Sequence, residues 1–298
     1  MRRPVILSCE STVDLPYSYV ESRKLPVLFY TYTVGGQVYM DDMGRTPESL
    51  PNFYESLKTE IPKTSQINVY QYADFFETLI RQGDVLHIAF GSGMTNSVAN
   101  AYDAAELLKG KYPDSRIVVV DSTCSSSGYG LLVDYAADLR DEGKSLDEIV
   151  QWVEENRKRV HHQFFSTDLQ YYRRSGRMSG AAATVGAILN ICPIMRLNDE
   201  GRIIAYDKVR GKKAAIARTM QEMKRHALDG ENYAGKCFVC NSNCRELAQQ
   251  TVAALKENFP HIRGEIRICD IGTIIASHCG PGTVAVFFLG DERAPGIT

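Results

Sequence analysis

The sequence predicts an α/β protein of two domains, the first built on a mainly parallel sheet with helices on both faces and the second on a mixed sheet. In the first half, apolar runs of strand length alternate with helical patterns, as is typical of parallel sheets covered by helices. In the second half, a polar turn at 198–201 separates two apolar runs and predicts a hairpin. A chain of 298 residues is also long for one domain. We expect domains over 1–160 and 161–298.

Elements of the first half follow from apolar runs and from apolar residues at helical spacing. The predicted strands are 5–9, 27–34, 85–90 and 116–120, and the predicted helices are 51–58, 70–81, 98–108, 128–141 and 145–160. Ligands of parallel sheets bind beyond the carboxyl ends of the strands. Ser11, Ser92 and Ser122 follow three of these strands, so we expect them at the ligand-binding edge.

The second half is predicted in the same way. Its predicted strands are 163–167, 194–197, 202–209, 236–240, 264–269 and 284–289, and its predicted helices are 169–174, 181–191, 213–228 and 244–258. The segment 181–191 consists of small and apolar residues without a charged face. We therefore expect it to be covered on nearly every side.

A glycine turn at 91–93 joins a strand to a helix and has two interpretations. The free amides of the helix start, with the hydroxyls of Ser92 and Thr95, could hold a phosphate or carboxylate. Alternatively, Thr95 or Asn96 simply caps the helix. The turn alone does not distinguish the two.

Composition excludes several classes of protein. Hydrophobic residues make up 44% and charged residues 23%, as in ordinary globular proteins. No apolar run approaches the roughly 18 to 20 residues that span a bilayer. A net charge of −2 argues against a nucleic-acid partner. The first residues lack the pattern of a signal peptide. Eight cysteines then indicate reduced thiols in a cytoplasmic protein.

The cysteines at 237, 240 and 244 have a spacing that invites a metal interpretation. Four ligands are needed for a closed site, and no further cysteine or histidine pair lies nearby in the sequence. We therefore expect neither a metal site nor a cofactor.

Six short motifs occur in one order along nearly the whole chain. They are ESTVDL (10–15), KTSQ (63–66), SG (92–93), VDS (120–122), SGR (175–177) and IASHCGPG (275–282). In this combination the chain resembles the DegV family, the two-domain bacterial fatty-acid-binding proteins. It departs from the usual family pattern at Glu10, where aspartate is common, and at Ile67, where proline is common.

The resemblance implies that a long-chain fatty acid lies between the domains. Its carboxylate would be held by Thr64, Ser92, Arg177 and His278. Further ligand-binding positions implied by the resemblance are Ser65, Gly93, Met94 and Gly280. The acyl chain would occupy a tunnel in the second domain beside helix 181–191, lined by Ile188, Leu189 and Ile191.

The resemblance also implies a partner, a separate ATP-dependent fatty acid kinase that phosphorylates the bound carboxyl group, with Arg210 at the contact. The sequence contains no Walker-type G-x-x-x-x-G-K-[ST] motif. We therefore expect a non-catalytic carrier subunit, and a lipid ligand is compatible with transient contact with a membrane.

Two other functions remain open. A serine hydrolase would use Ser92 as nucleophile and His278 as base, but the turn lacks the G-x-S-x-G pattern and no acid is evident to orient the histidine. A lipid sensor would change its partner when the ligand binds.

Overall fold

The computed structural model describes residues 3–176, 178–179 and 190–296. Within these ranges the first half forms a four-stranded sheet in the order β2-β1-β6-β7, and every pair of neighbouring strands is parallel. The strands are β1 (Val5–Glu10), β2 (Val27–Leu28), β6 (Asp84–Ala89) and β7 (Ile117–Asp121). The fold class predicted from the sequence is confirmed.

Two pairs of helices pack against this sheet, α3 with α4 and α5 with α6. The helices of the first half are α1 (Tyr17–Ser22), α2 (Ser49–Ser56), α3 (Val69–Ile80), α4 (Ser97–Lys109), α5 (Ser126–Asp141) and α6 (Leu146–Asn156). Helix α3 starts with a capping box of Asn68 and Gln71, and α6 with one of Ser145 and Glu148. The sequence specifies both helix starts locally, because each capping box provides hydrogen-bond acceptors for free backbone amides within one turn.

A small antiparallel sheet in the order β4-β3-β5 lies beside the parallel one. Its strands are β3 (Thr31–Val34), β4 (Gln37–Met40) and β5 (Lys63–Thr64). The prediction of one strand over 27–34 is therefore wrong, because β2 and β3 belong to different sheets. Gly35 and Gly36 both have positive φ, which suits the tight hairpin turn between β3 and β4.

The second half forms a seven-stranded sheet in the order β13-β12-β14-β8-β10-β11-β9. Its strands are β8 (Val160–Ser166), β9 (Met178–Ser179), β10 (Ile191–Leu197), β11 (Ile203–Arg210), β12 (Phe238–Asn241), β13 (Arg267–Asp270) and β14 (Thr283–Leu289). The β12–β13 and β11–β9 pairs are parallel and the others antiparallel, so the sheet is mixed. The hairpin predicted around 198–201 is present as β10 and β11.

Four helices complete the described part of the second half: α7 (Gln170–Ser175), α8 (Lys212–His226), α9 (Arg245–Asn258) and α10 (Thr273–Cys279). Most of the predicted helix 181–191 lies outside the described residues. Its last residue, Ile191, begins strand β10. No helix in the described part of the chain is long and apolar enough to cross a bilayer.

Helix α5 lies between the two large sheets, contacting β1 on one side and β8, β12 and β14 on the other. Its close approach depends on Gly128, since a Cβ there would lie 2.3 Å from His162 Nε2 and 2.6 Å from Phe287 Cδ1. Alternate residues of β8 and β14 face this helix or the opposite side, where α8 and α9 pack. The inner core therefore runs through both halves of the chain.

Candidate functional site

A cavity of about 570 Å³ lies where the three sheets meet, a volume typical of small-molecule sites. Its polar lining includes Thr64, Ser65, Gln66, Ser92, Thr95, Asn96, Arg202 and His278. Its apolar lining includes Tyr30, Phe90, Met94, Phe164, Leu197, Ile203, Ile271, Ile274, Ile275 and Phe287. The cavity thus has a polar corner of hydroxyl, amide, imidazole and guanidinium groups and an apolar wall, most of which comes from the second half of the chain.

Thr64 and His278 meet at the polar corner. Thr64 Oγ1 lies 2.9 Å from His278 Nε2, although the residues are 214 positions apart. Thr64 is held by pairing with Tyr32 in the small sheet, and His278 lies in the last turn of α10. From the sequence we expect a loop at His278 and its glycines; the structure shows instead that His278 belongs to a short helix, which ends at Cys279.

Gly280 ends α10 with φ +64°. A Cβ at this position would lie 2.1 Å from the ring of Tyr171, so the position needs glycine for its conformation and for the contact with α7. Gly280 is not one of the residues that line the cavity.

Ser92 forms the second part of the corner, in the turn after β6. Its N–H and Oγ both donate to the carboxylate of Asp121, at 3.0 and 2.5 Å. Asp121 ends β7 and also accepts from the N–H of Thr123 at 2.9 Å. Asp121 was not among the predicted site residues, although its place at the end of a parallel strand is the signal that could have found it.

The interpretation of the 91–93 turn as an ordinary helix cap is correct for Thr95 and wrong for Asn96. Thr95 Oγ1 accepts from the N–H of Ser97 at 3.2 Å, whereas Asn96 makes no side-chain cap at the start of α4. Ser11 and Ser122, the other serines expected at the ligand edge, are buried, and their hydroxyls accept from the N–H groups of Tyr30 and Cys124.

The Ser92–Gly93 turn is closed from the side by the β10–β11 hairpin. A Cβ on Gly93 would lie 2.5 Å from the carbonyl carbon and oxygen of Gly201. Both atoms are backbone atoms, so neither can rotate away. Glycine at position 93 therefore lets the two halves of the chain touch beside the cavity that Gly93 lines.

Beneath the cavity, a buried carboxylate organises the strand ends. Glu10, which is fully buried, accepts from the hydroxyl of Tyr72, from the N–H of Phe90 at 3.0 Å and from the hydroxyl of Tyr30 at 3.3 Å. Burial raises the pKa of Tyr30 well above its usual range, so its hydroxyl stays a donor. Glu10 therefore fixes two of the residues that line the cavity.

Two more buried carboxyl groups hold the start of α10. Asp14 accepts from the Gly272 N–H at 3.0 Å and from the Ser126 hydroxyl, and Asp41 accepts from the Thr273 hydroxyl at 2.9 Å. Burial raises the pKa of Asp41 to about 6 and that of Asp14 well above its usual range. The helix that carries His278 is thus attached to the first half of the chain.

Of the positions implied by the resemblance, Thr64, Ser65, Ser92, Gly93, Met94 and His278 line one cavity. Arg177, Ile188 and Leu189 lie outside the described residues. Ile191 and Arg210 pair with each other at the ends of β10 and β11, and neither lines the cavity.

The apolar wall that the structure describes comes largely from β8, β10, β11, β14 and α10. Sequence reasoning missed this wall because strands buried on both faces, such as β8 and β14, show no alternation.

The serine hydrolase hypothesis requires the serine hydroxyl to give its proton to the histidine. Here the Ser92 hydroxyl donates to Asp121, and His278 Nε2 contacts Thr64 instead. Ser92 and His278 therefore line the same cavity but belong to different hydrogen-bonded pairs, and the Ser92 hydroxyl does not donate to His278.

The fold and the cavity define a class: α/β proteins in two parts, with a half-polar, half-apolar cavity between the parts. Residues 6–291 match the family model described as "Uncharacterised protein, DegV family". The chain belongs to the DegV family, as the sequence motifs predicted.

Three relatives illustrate the match. A DegV domain-containing protein of Clostridium perfringens is 36% identical over 299 residues, covering 99% of this chain and 100% of the relative. A DegV family protein of Thermus thermophilus, whose structure is described as fatty acid binding, is 26% identical with a TM-score of 0.84, over 97% of this chain and 100% of that one. A fatty acid binding DegV family protein of Streptococcus agalactiae is 25% identical with a TM-score of 0.80, over 97% and 100%.

Proposed function

We propose that this protein binds a long-chain fatty acid in the cavity between its halves, with the carboxylate at the polar corner and the acyl chain along the apolar wall. The observation that carries the proposal is the division of one cavity into a hydroxyl and imidazole corner and an apolar wall. The fatty acid binding described for the Thermus thermophilus and Streptococcus agalactiae proteins supports it.

The Thr64–His278 pair suits a carboxylate. If His278 Nε2–H donates to Thr64 Oγ1, the hydroxyl hydrogen of Thr64 is available to donate into the cavity. A carboxylate that leaves water must keep hydrogen bonds, or the lost hydration opposes binding by several kcal/mol. The Thr64 hydroxyl supplies one such hydrogen bond to the carboxylate.

Ser92 contributes differently, because its hydroxyl hydrogen is used by Asp121. A fatty acid carboxylate that binds Ser92 must take this hydrogen bond from Asp121, or the acid must enter in its neutral form and donate to Ser92. The first route exchanges one hydrogen bond for another, so its net gain is small. We therefore assign most of the head-group stabilisation in the described corner to Thr64 and His278.

The acyl chain supplies most of the affinity. Burial of a chain of about sixteen carbons, at about 0.8 kcal/mol per methylene, gains on the order of 10 kcal/mol. Association and ordering oppose this by an amount of similar size. The apolar wall therefore offsets the cost of association, and the polar corner adds affinity for a carboxylate and sets the direction of the chain.

We further propose that the protein is a carrier that presents the bound carboxyl group to a separate ATP-dependent kinase. The absence of a Walker motif from the sequence supports a carrier. Arg210, at the exposed end of β11, is our candidate for partner contact. Arg210→Ala is expected to retain fatty acid and to lose phosphorylation by the partner, while loss of both would contradict a contact role.

The test of fatty acid binding starts from lipid extracted from the purified protein. Mass spectrometry should find a long-chain fatty acid in near-equal amount to the protein. After delipidation, palmitate should raise the melting temperature more than hexadecanol, which has the same chain without the carboxylate. A delipidated protein that responds to neither ligand would overturn the proposal, and an equal response to both would overturn the head-group assignment.

A further inference from the structure

Three side chains that the cavity does not use meet on the far side of the second sheet. His161 Nε2 lies 2.9 Å from Asp291 Oδ1, and His226 Nδ1 lies 3.1 Å from both carboxylate oxygens of Asp291. One nitrogen or oxygen atom from each of the three side chains can be chosen so that all three atoms lie within 4.8 Å of one another. The carbonyl oxygen of Asp291 also lies close, 3.0 Å from His161 Nε2.

The register of β8 separates this cluster from the cavity. His162 and Phe164 line the cavity, and neighbouring residues of a strand point to opposite faces. His161 therefore faces the other side of the sheet, toward α8, whose last residue is His226. Asp291 follows the end of β14, so three separate elements converge on one point.

We propose that His161, His226 and Asp291 form a binding site for a divalent transition metal ion, with zinc the best fit. Two imidazoles and one carboxylate are a common donor set for zinc and leave a fourth position for the Asp291 carbonyl or water. Mg²⁺ and Ca²⁺ prefer sites made of oxygen atoms, so the two imidazoles disfavour them.

The backbone holds the donors in place before any ion binds. The Asp291 N–H donates to the His226 carbonyl at 2.9 Å, and the Gly290 N–H donates to the Arg159 carbonyl at 2.8 Å. A Cβ on Gly290 would lie 2.2 Å from the His226 carbonyl oxygen and 2.8 Å from His161 Cδ2. The glycine thus lets the chain pass between the two histidines and present Asp291 to both.

The surroundings match those of a metal-binding histidine. The second ring nitrogen of His226, Nε2, lies 3.5 Å from the Glu222 carboxylate, and such outer carboxylates commonly orient metal ligands. His161 is buried, whereas the side chain of Asp291 is 57% exposed. An ion can therefore reach the cluster from solvent on the Asp291 side.

The buried cation nearest in sequence, Arg293, is directed elsewhere. Its guanidinium donates to the carbonyls of Thr123 at 2.8 Å and Val160 at 3.0 Å, and it lies 3.3 Å from Nδ1 of the inner-face His162. The hydrogen bonds of Arg293 are therefore made on the side of the sheet that faces the cavity, and its guanidinium makes no hydrogen bond to the three clustered side chains.

The test uses the full-length protein, stripped with a chelator and titrated with zinc chloride by calorimetry. Wild type should bind one equivalent, and Asp291→Asn and His226→Gln should each weaken the affinity by about tenfold or more. Glu292→Gln and His261→Gln, two exposed residues of the same half, are the matched controls and should bind as wild type does. Circular dichroism of the metal-free variants checks that both remain folded.

Cobalt(II) provides a readout that does not depend on stability. A site of imidazole and carboxylate ligands gives weak visible bands, while binding to any of the eight cysteines adds an intense thiolate charge-transfer band. The proposal is overturned if zinc does not bind, if the variants keep wild-type affinity, or if the cobalt spectrum is that of a thiolate site.

Discussion

The hydroxyl of Thr64 is the group whose removal tests the head-group assignment most directly. Thr64→Val replaces the hydroxyl by a methyl group of similar size on a half-buried strand. The change removes the hydrogen bond to His278 Nε2 and the donor proposed for the carboxylate. The apolar wall and the strand pairing with Tyr32 are left as they are.

The expected loss follows from the charge of the ligand. A hydrogen bond to a charged group is worth about 1.5–3 kcal/mol. At about 1.4 kcal/mol for each tenfold change, Thr64→Val should bind palmitate roughly ten- to 150-fold more weakly. Hexadecanol has no carboxylate, so its binding should change much less.

The assay is displacement of a fluorescent fatty acid from delipidated protein, with palmitate and hexadecanol as competitors. Thr64→Ser keeps the hydroxyl and should restore most of the palmitate affinity. Thr33→Val, a half-buried threonine on the neighbouring strand that does not line the cavity, is the matched control. Wild-type palmitate affinity in Thr64→Val, or an equal loss in Thr64→Ser, would refute the reasoning.

Three further predictions concern the frame of the site. Gly93→Ala pushes a methyl group against the facing hairpin, so it should destabilise the protein by about 1–3 kcal/mol and lower fatty acid retention; Gly110→Ala, where a Cβ meets nothing within 4 Å, should do neither. Glu10→Gln puts an amide donor among the hydroxyl and N–H donors around Glu10, and should cost about 1–3 kcal/mol of unfolding free energy in urea. Burial raises the pKa of Asp41 from 3.8 to about 6, so its contribution to stability is greatest below the unfolded pKa and falls as pH rises to about 6. Asp41→Asn does not ionise, and should gain about 2 kcal/mol relative to wild type between about pH 4.5 and about pH 8.

Each of these has an outcome that contradicts it. Equal stability of Gly93→Ala and Gly110→Ala would show that the β10–β11 hairpin can move to accommodate a methyl group at position 93. Glu21→Gln, the same substitution at an exposed position of helix α1, should leave stability unchanged, and a similar loss there would remove the argument for Glu10. A stability difference between Asp41→Asn and wild type that is the same at both pH values would show that Asp41 does not titrate between them.

Part of the fold was predictable because it depends on neighbours in sequence. Helices 70–81 and 145–160 were predicted from apolar residues at helical spacing, and the hairpin turn at 198–201 from its polar residues. The parallel sheet followed from the alternation of strands and helices. The six motifs identified the family by the same local means.

Errors arose where burial changes the pattern. Strand β8 is buried along its whole length, so it shows no alternation, and the polar histidines 161 and 162 at its start led the prediction to begin at residue 163. The run 27–34 reads as one strand, yet the chain divides it between two sheets. Which sheet accepts a strand depends on free edges that a local pattern does not contain.

The sequence by itself determined the alternating elements, the hydroxyl-rich turns and the family, since each is encoded by residues close together in the chain. Only the tertiary structure decided that His278 meets Thr64 and that the Ser92 hydroxyl donates a hydrogen bond to Asp121. It also brought His161, His226 and Asp291 to one point. These groups are far apart in sequence. Their distances depend on how the two large sheets pack against helix α5, and this packing is a property of the whole core.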